Sequence, residues 1–257
     1  MPITIDGTNG ITQAGEFNSD SSFGFKNRII NGAMVIDQRN AGASVTPFNG
    51  QYLVDRWFGY QNVASKYSAQ QVTTAPTGFI NSLRATSLSS YALGSTDVFT
   101  LSQAIEGFNI ADLGWGTASA KTVTLSFQVY SSLTGTFGGC LANGGTNRGY
   151  PFTYSIPAAN TWTTVSVTIP GDTSGTWATN NGIGIYVFFG LGVGATYSGT
   201  AGAWAGSQLY SATGATSVVG TNGATLFVTG VQLEVGSTAT SFDYRPYGTE
   251  LALCQRY

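Results

Sequence analysis

Lys121-Thr-Val-Thr-Leu-Ser-Phe-Gln-Val-Tyr130 alternates apolar and polar residues without a break. Val123, Leu125, Phe127 and Val129 fall in one phase, and Thr122, Thr124, Ser126 and Gln128 in the other. Side chains of a strand point alternately to its two faces, so this run is a β-strand with one buried face. Three more segments repeat the pattern. Val165, Val167 and Ile169 alternate with Thr164, Ser166 and Thr168; Ile183, Ile185, Val187 and Phe189 form one further phase, and Phe227, Thr229, Val231, Leu233 and Val235 another. Weaker strands are predicted over residues 28–37, 51–60, 66–73, 79–87, 97–106 and 150–156. Asn49-Gly50, Pro76-Thr-Gly78, Asn143-Gly-Gly145, Pro170-Gly171-Asp172 and Asn222-Gly223 supply the turns between them. One helical turn is expected in Asn109-Ile-Ala-Asp-Leu113, with Asn109 as its cap. Many strands, Gly/Pro punctuation and no fixed internal repeat predict an all-β fold. It is a sandwich of two antiparallel sheets rather than a solenoid or propeller.

Charge narrows what such a sandwich can do. Only 9% of the 257 residues are charged, against about 25% in an ordinary domain. The net charge of -2 and pI near 4.9 offer no basic face for nucleic acid. With no histidine in the chain, histidine catalysis and histidine metal ligation are excluded. The outward phases carry Thr, Ser, Gln and Tyr rather than Lys and Glu, which suits a surface that rests against something or works outside a cell. The start, Met1-Pro2-Ile3-Thr4-Ile5-Asp6, has no secretory pattern, and no apolar run approaches the roughly 20 residues that span a bilayer. The expectation is a soluble chain made in a cytoplasm, without membrane insertion. Cys140 and Cys254 lie far apart and read as independent, reduced thiols rather than a disulfide framework. Residues 1–26 are rich in Gly, Thr, Ser and Asn and read as an extended arm ahead of a domain over 27–257. Ile3, Ile5, Ile11, Phe17, Phe23 and Phe25 are its candidate assembly contacts; the alternative is a frayed terminus.

Asn27-Arg-Ile-Ile-Asn-Gly-Ala-Met-Val-Ile-Asp-Gln-Arg-Asn40 resembles the opening of jelly-roll domains in bacteriophage tail fibres and related virion proteins. Tyr52-Leu-Val-Asp-Arg-Trp57, Leu101-Ser-Gln-Ala-Ile-Glu-Gly107 and the run from Trp162 to Asp172 are similar to later parts of them. The most specific piece is Gly230-Val-Gln-Leu-Glu-Val-Gly236 followed by Thr240-Ser-Phe-Asp-Tyr-Arg-Pro-Tyr-Gly-Thr-Glu-Leu-Ala-Leu-Cys-Gln-Arg-Tyr257. The start, Ile3-Thr-Ile-Asp-Gly-Thr-Asn-Gly-Ile11, is similar to attachment-side segments of such fibres. The resemblance implies a jelly roll like those of carbohydrate-binding modules, carried on the outside of a virus particle as a homotrimer. It implies other virion proteins as partners through the arm, and host surface polysaccharide as a ligand. Related chains continue past Leu-Ala-Leu-Cys-Gln-Arg-Tyr257, which favours a structural or decorating role.

Sugar recognition uses exposed aromatic faces with amides and carboxylates beside them. Trp204, Trp177 and Trp115 sit in glycine-rich loops and are the candidate ligand contacts. The competing readings are a plug at the end of the sandwich and a subunit interface. Trp162 opens a strand in the phase opposite to Val165, and Trp57 reads as core. A carboxylate pair could hydrolyse glycosides, with Asp55, Glu106, Glu234 and Asp243 as candidates. Structural ion pairs with Arg56, Arg84 or Arg245 are the simpler account of them. No Gly-x-Ser-x-Gly, P-loop or Cys-x-x-Cys is present. No catalytic residue, cofactor or metal is therefore assigned; a structural calcium would draw mainly on backbone carbonyls. The expected function is non-enzymatic: a tail fibre or fibre-like virion protein that contacts host glycans. The alternatives are a capsid-decorating cement or head-fibre protein, a glycan-degrading tailspike, and a free carbohydrate-binding module.

Overall fold

The computed structural model describes residues 4–6, 10–12, 25–48 and 50–256. In chain order the strands are β1 (Thr4–Asp6), β2 (Gly10–Thr12), β3 (Gln51–Val54), β4 (Trp57–Gln61), β5 (Tyr67–Val72), β6 (Ser82–Ser87), β7 (Val98–Glu106), β8 (Val123–Ser131), β9 (Gly135–Asn143), β10 (Gly149–Ile156), β11 (Thr163–Ile169), β12 (Ile183–Val193), β13 (Ser198–Gly199), β14 (Ser211–Ala212) and β15 (Thr225–Val235). The one α-helix among the described residues, α1 (Tyr247–Cys254), follows. Six strands make one sheet in the order β10-β9-β12-β7-β4-β3, and five make the other in the order β11-β8-β15-β6-β5. The main-sheet pairings are antiparallel, and the chain changes sheet repeatedly between β4 and β15, as in a jelly-roll sandwich.

The alternation of β8 is realised: Val123, Leu125, Phe127 and Val129 all enter the core. Phe127 from one sheet meets Phe189 from the other edge to face at 4.9 Å. Trp57 is fully buried, and its indole N–H donates to the Asn31 carbonyl.

Four predicted elements differ from what forms. Residues 51–60 are not one strand but the antiparallel hairpin of β3 and β4, turned at Asp55-Arg56 with Arg56 at a left-handed φ of 71°. Residues 28–37 are not a strand, because Asn31 and Met34 adopt left-handed φ of 56° and 57°. Buried amides hold this stretch instead of a ladder. Asn31 donates to the Ile36 and Asp55 carbonyls, and Gln103 exchanges two bonds with Ile30. Phe227 and Thr229 do not share a phase with Val231 and Leu233. A bulge with Gly230 at φ 60° flips the alternation, so Leu226 and Val228 join Val231 and Leu233 in the core. The turn after Asn109 is two short 3₁₀ turns, Gly107–Asn109 and Ala111–Leu113, and the Asn109 side chain caps neither. Helix α1 and the glycine-rich strand β9 were not legible from periodicity.

The bulge has a purpose in packing. It frees the Val231 carbonyl and the Leu233 N–H, and the amide of Asn27 bonds both, at 3.0 Å each. Gly32 passes so close that a Cβ there would lie 2.2 Å from the Val231 oxygen. Past β15 the chain returns as a strap. Gln232 accepts from the Asp243 N–H, and Glu234 accepts from the Thr240 N–H and hydroxyl. Arg245 then donates to the Asn27 and Ile29 carbonyls and pairs with Glu250 at 3.1 Å.

Both cysteines are free and buried. Cys140 packs with Ala142, Phe188 and Leu209, and Cys254 with Ile30 and Ile36. Burial raises both thiols, that of Cys254 to about 12, with Glu250 and Asp55 adding to it. At pH 8 both are thiols, and the thiolate is the reactive form. Neither is expected to react with an alkylating reagent until denaturant is added; mass spectrometry of a labelling time course checks this.

Candidate functional site

The loops place Trp115, Trp177 and Trp204 against one another. Ring centroids lie 4.7 Å apart for Trp115–Trp177, 5.3 Å for Trp115–Trp204 and 5.4 Å for Trp177–Trp204, all edge to face. Gly116, at φ 85°, lets the chain pass Trp177 closely enough for this. Each indole N–H is already used, donating to Lys121, Ser174 and Pro170 carbonyls in turn. Trp115 and Trp177 are 6% and 7% exposed, while Trp204 is partly covered and also meets Tyr150 at 5.2 Å. Beside them Arg148 grips Asp172 with two bonds, of 2.7 and 2.6 Å. The arrangement seals the core, with rings presented to each other rather than outward.

The candidate carboxylates are spread through the scaffold. Asp55 accepts from the Gln38 backbone and side-chain N–H groups, and Asp243 from the Asn27 N–H. Glu234 holds Thr240, as above. Glu106 pairs with Arg256 at 2.8 Å, an arginine outside the three the sequence suggested. The ion pair of Arg245 is likewise with Glu250, a residue the sequence did not single out. Among the described residues no group of three acidic or cysteine side chains is placed to hold a metal ion.

A different surface carries a row of outward-turned aromatics, of which Tyr52 is the most exposed. In β4 the residues Trp57, Gly59 and Gln61 point inward, which turns Phe58 and Tyr60 outward. In β12 Ile185, Val187 and Phe189 point inward, which turns Tyr186 and Phe188 outward. Pairing aligns Tyr52, Phe58, Ser102, Phe188 and Cys140 in one row across the outer face of the six-stranded sheet. The rings form a chain: Tyr52–Phe58 at 6.2 Å, Phe58–Tyr186 at 6.2 Å, Tyr186–Phe188 stacked at 5.3 Å and Phe188–Tyr210 at 4.9 Å. Tyr197 meets Tyr210 at 5.6 Å, and the Arg39 guanidinium lies 4.9 Å over Tyr52.

The loop through β13 and β14 supplies Tyr197 and Tyr210 and seats Leu209 on Cys140, Ala142 and Phe188. It covers that end of the face and leaves Tyr52, Phe58, Tyr60 and Tyr186 beside it partly open. The phenols approach one another. Burial raises the Tyr186 and Tyr210 phenols; the Tyr52 phenol raises Tyr186 further, and those of Tyr60, Tyr197 and Tyr186 raise Tyr210, against a lowering hydrogen bond from Gln208. The raised Tyr186 and Tyr210 hydroxyls are protonated at neutral pH, able both to donate and to accept. Flat apolar faces beside neutral hydroxyls are what a sugar ring, with its C–H face and equatorial hydroxyls, requires. The overlooked signal was aromatic residues in the phase where a strand should be polar, twice over.

A smaller trio, Tyr130, Trp162 and Phe227, packs on the outer face of the five-stranded sheet. Of the arm residues, Ile3, Phe17 and Phe23 lie outside the described residues. Ile5 and Ile11 are opposed in the β1–β2 pair, where only the backbone is described. Phe25 is 62% exposed, with the Arg245 guanidinium 5.7 Å from its ring.

No protein-family model and no curated protein matches the chain. Among solved structures it is similar to the enzymatically active domain of tailspike protein 4 of bacteriophage CBA120, at 11% identity and a TM-score of 0.43, over 82% of this chain and 22% of that one. It thus spans less than a quarter of that tailspike chain. A putative sugar binding protein of Bacteroides thetaiotaomicron is similar at 14% identity and TM-score 0.46, over 82% of this chain and all of that one. A family 11 carbohydrate-binding module of a Clostridium thermocellum cellulosomal cellulase is similar at 13% identity and TM-score 0.36, over 79% and 99% of the two chains.

Proposed function

We propose that the chain is a non-enzymatic structural component of a tailed-phage virion, a tail fibre or fibre-like protein that contacts host surface glycans through its tyrosine face. The observation that carries the glycan part is the convergence of Tyr52, Tyr60, Tyr186, Tyr197 and Tyr210 beside the partly open ring of Phe58. The non-enzymatic part is supported by the carboxylates, which are occupied in holding loops and strap. The virion setting is supported by the motifs at 27–40, 230–236 and 240–257, and by a surface poor in charge. Residues 1–26 would then meet other virion proteins, with the sandwich on the particle surface after synthesis in the host cytoplasm.

The test is calorimetric titration of the full chain with purified surface polysaccharide of the host. Tyr60→Ala and Tyr186→Ala are each expected to weaken binding about tenfold, the scale of one lost aromatic contact. Trp162→Ala, on the opposite sheet, is expected to leave it unchanged, and no reducing ends should accumulate. Equal affinity in all three variants would remove the tyrosine face from the reading, and release of reducing ends would make the protein an enzyme.

A further inference from the structure

The strap covers one end of the outer face of the five-stranded sheet, where Gln232 and Glu234 hold it. Toward the other end, strand pairing sets Gln70, Arg84, Phe227 and Tyr130 in one row across β5, β6, β15 and β8. Their chain neighbours Ala69, Leu83, Ala85, Leu226, Val228 and Val129 are in the core, so the four turn outward. Ser68, Thr86 and Thr225 make the next row. Tyr130 meets Phe227 edge to face at 4.9 Å, and Trp162 backs both rings at 5.5 and 6.3 Å. Arg84 stands apart in this company. It is half-buried, it enters no ion pair or hydrogen bond among the described residues, and its Nε is sealed from solvent without an acceptor. Arg28, Arg148, Arg245 and Arg256, by contrast, each hold a carboxylate. Drawing a guanidinium out of water without giving it an anion carries a cost that nothing beside Arg84 offsets.

We infer that this row is a second binding site, for a sugar residue that carries a carboxylate, as a uronic acid does. The forked N–H groups of a guanidinium match the two oxygens of a carboxylate, and a bound carboxylate supplies the anion that Arg84 lacks. Adjacent strands lie about 4.8 Å apart, so Tyr130 is about 10 Å along the row from Arg84. That span suits a short oligosaccharide with its acidic residue on Arg84 and a further ring on Tyr130. The Ser68, Thr86 and Thr225 hydroxyls and the Gln70 amide lie alongside to meet sugar hydroxyls. An acidic peptide would satisfy Arg84 but bring few hydroxyls to that second row. A neutral sugar would satisfy the second row and leave Arg84 as it is. Trp162, one strand beyond Tyr130, supports the Tyr130 ring and is not a contact. The site is on the opposite sheet from the tyrosine face; it takes from the proposed function only the class of ligand.

Calorimetric titration of the full chain with a galacturonic acid oligomer, a glucuronic acid oligomer and a neutral galactose oligomer tests this. At least one acidic oligomer is expected to bind, and to bind more weakly as salt rises. Arg84→Gln should weaken that binding at least about tenfold, the scale of a lost charge-assisted contact. It should leave any affinity for the neutral oligomer as it was. Its melting temperature should not fall, since Arg84 holds no partner in the free protein. Arg84→Lys, which keeps the charge without the fork, should bind with intermediate affinity. Tyr130→Ala should weaken acidic binding as well, and Tyr186→Ala should leave it unchanged. The inference is overturned if neither acidic oligomer binds, or if Arg84→Gln binds them as the unmodified chain does. A glutamate oligomer held through Arg84 as tightly as the acidic sugars would make the row a peptide site and overturn the assignment to sugar. The tyrosine face stands or falls separately, on Tyr186→Ala with the host polysaccharide.

Discussion

Arg245→Ala is expected to destabilise the folded chain by about 3–5 kcal/mol, the cost of stranding the buried partner of an ion pair. The Arg245 side chain is 6% exposed and that of Glu250 10%. The same guanidinium also donates to two carbonyls at the chain entry. Its loss leaves two carbonyls without this donor and a carboxylate that keeps the Asn31 N–H but has its charge uncompensated. At about 2–4 °C per kcal/mol for a domain of this size, the melting temperature should fall by roughly 10 °C, read by circular dichroism. Arg28→Ala is the contrast. Its bond to Asp112 is shorter, 2.7 Å, but the two side chains are 22% and 47% exposed. Solvent screens that pair, and its loss should cost no more than about 1 kcal/mol. Equal losses in the two variants would mean that burial does not set the strength of the strap.

The second large effect separates two uses of tryptophan. Trp177→Ala removes the ring between Trp115 and Trp204 and opens a cavity that three loops cannot easily close. The expected cost is about 3–5 kcal/mol, with glycan affinity unchanged in whatever fraction remains folded. Tyr186→Ala should do the reverse, losing glycan with a smaller change in melting. If Trp177→Ala melts within about 1 kcal/mol of the unmodified chain and no longer binds polysaccharide, the indole cluster is the ligand site and the tyrosine face is not.

The sandwich was legible because β8, β11 and the first part of β12 each bury one face, and period-2 alternation reports single-faced burial directly. It stopped being legible where that condition fails. The second half of β12 is buried on both faces, since the β13–β14 loop lies over Phe188. Strand β9 is built on glycines that make room: a Cβ at Gly139 would lie 2.4 Å from the Phe188 oxygen and from the ring of Phe152. Periodicity reads side chains, and there are none to read at such positions. In β15 one bulge inverted the phase halfway along. The candidate site was less legible than the fold for a related reason. Tryptophan in a glycine-rich loop reads as exposed because small neighbours cannot cover it, yet here three such loops cover one another. Only tertiary structure brings Tyr52, Tyr60, Tyr186, Tyr197 and Tyr210 together, from four segments of the chain.

The amide of Asn27 has a consequence for synthesis. Its partners, Val231 and Leu233, lie 204 and 206 residues downstream. A nascent chain carries the segment around Asn27 through 204 further residues before that segment has anywhere to dock. Arg245 and Glu250, which lock it, are made later still. Ribosomal products broken off early therefore keep a loose entry segment and an open seam along β15, a target for proteases. Residues 231–250 thus act as a check that the segment around Asn27 has been joined to the sandwich.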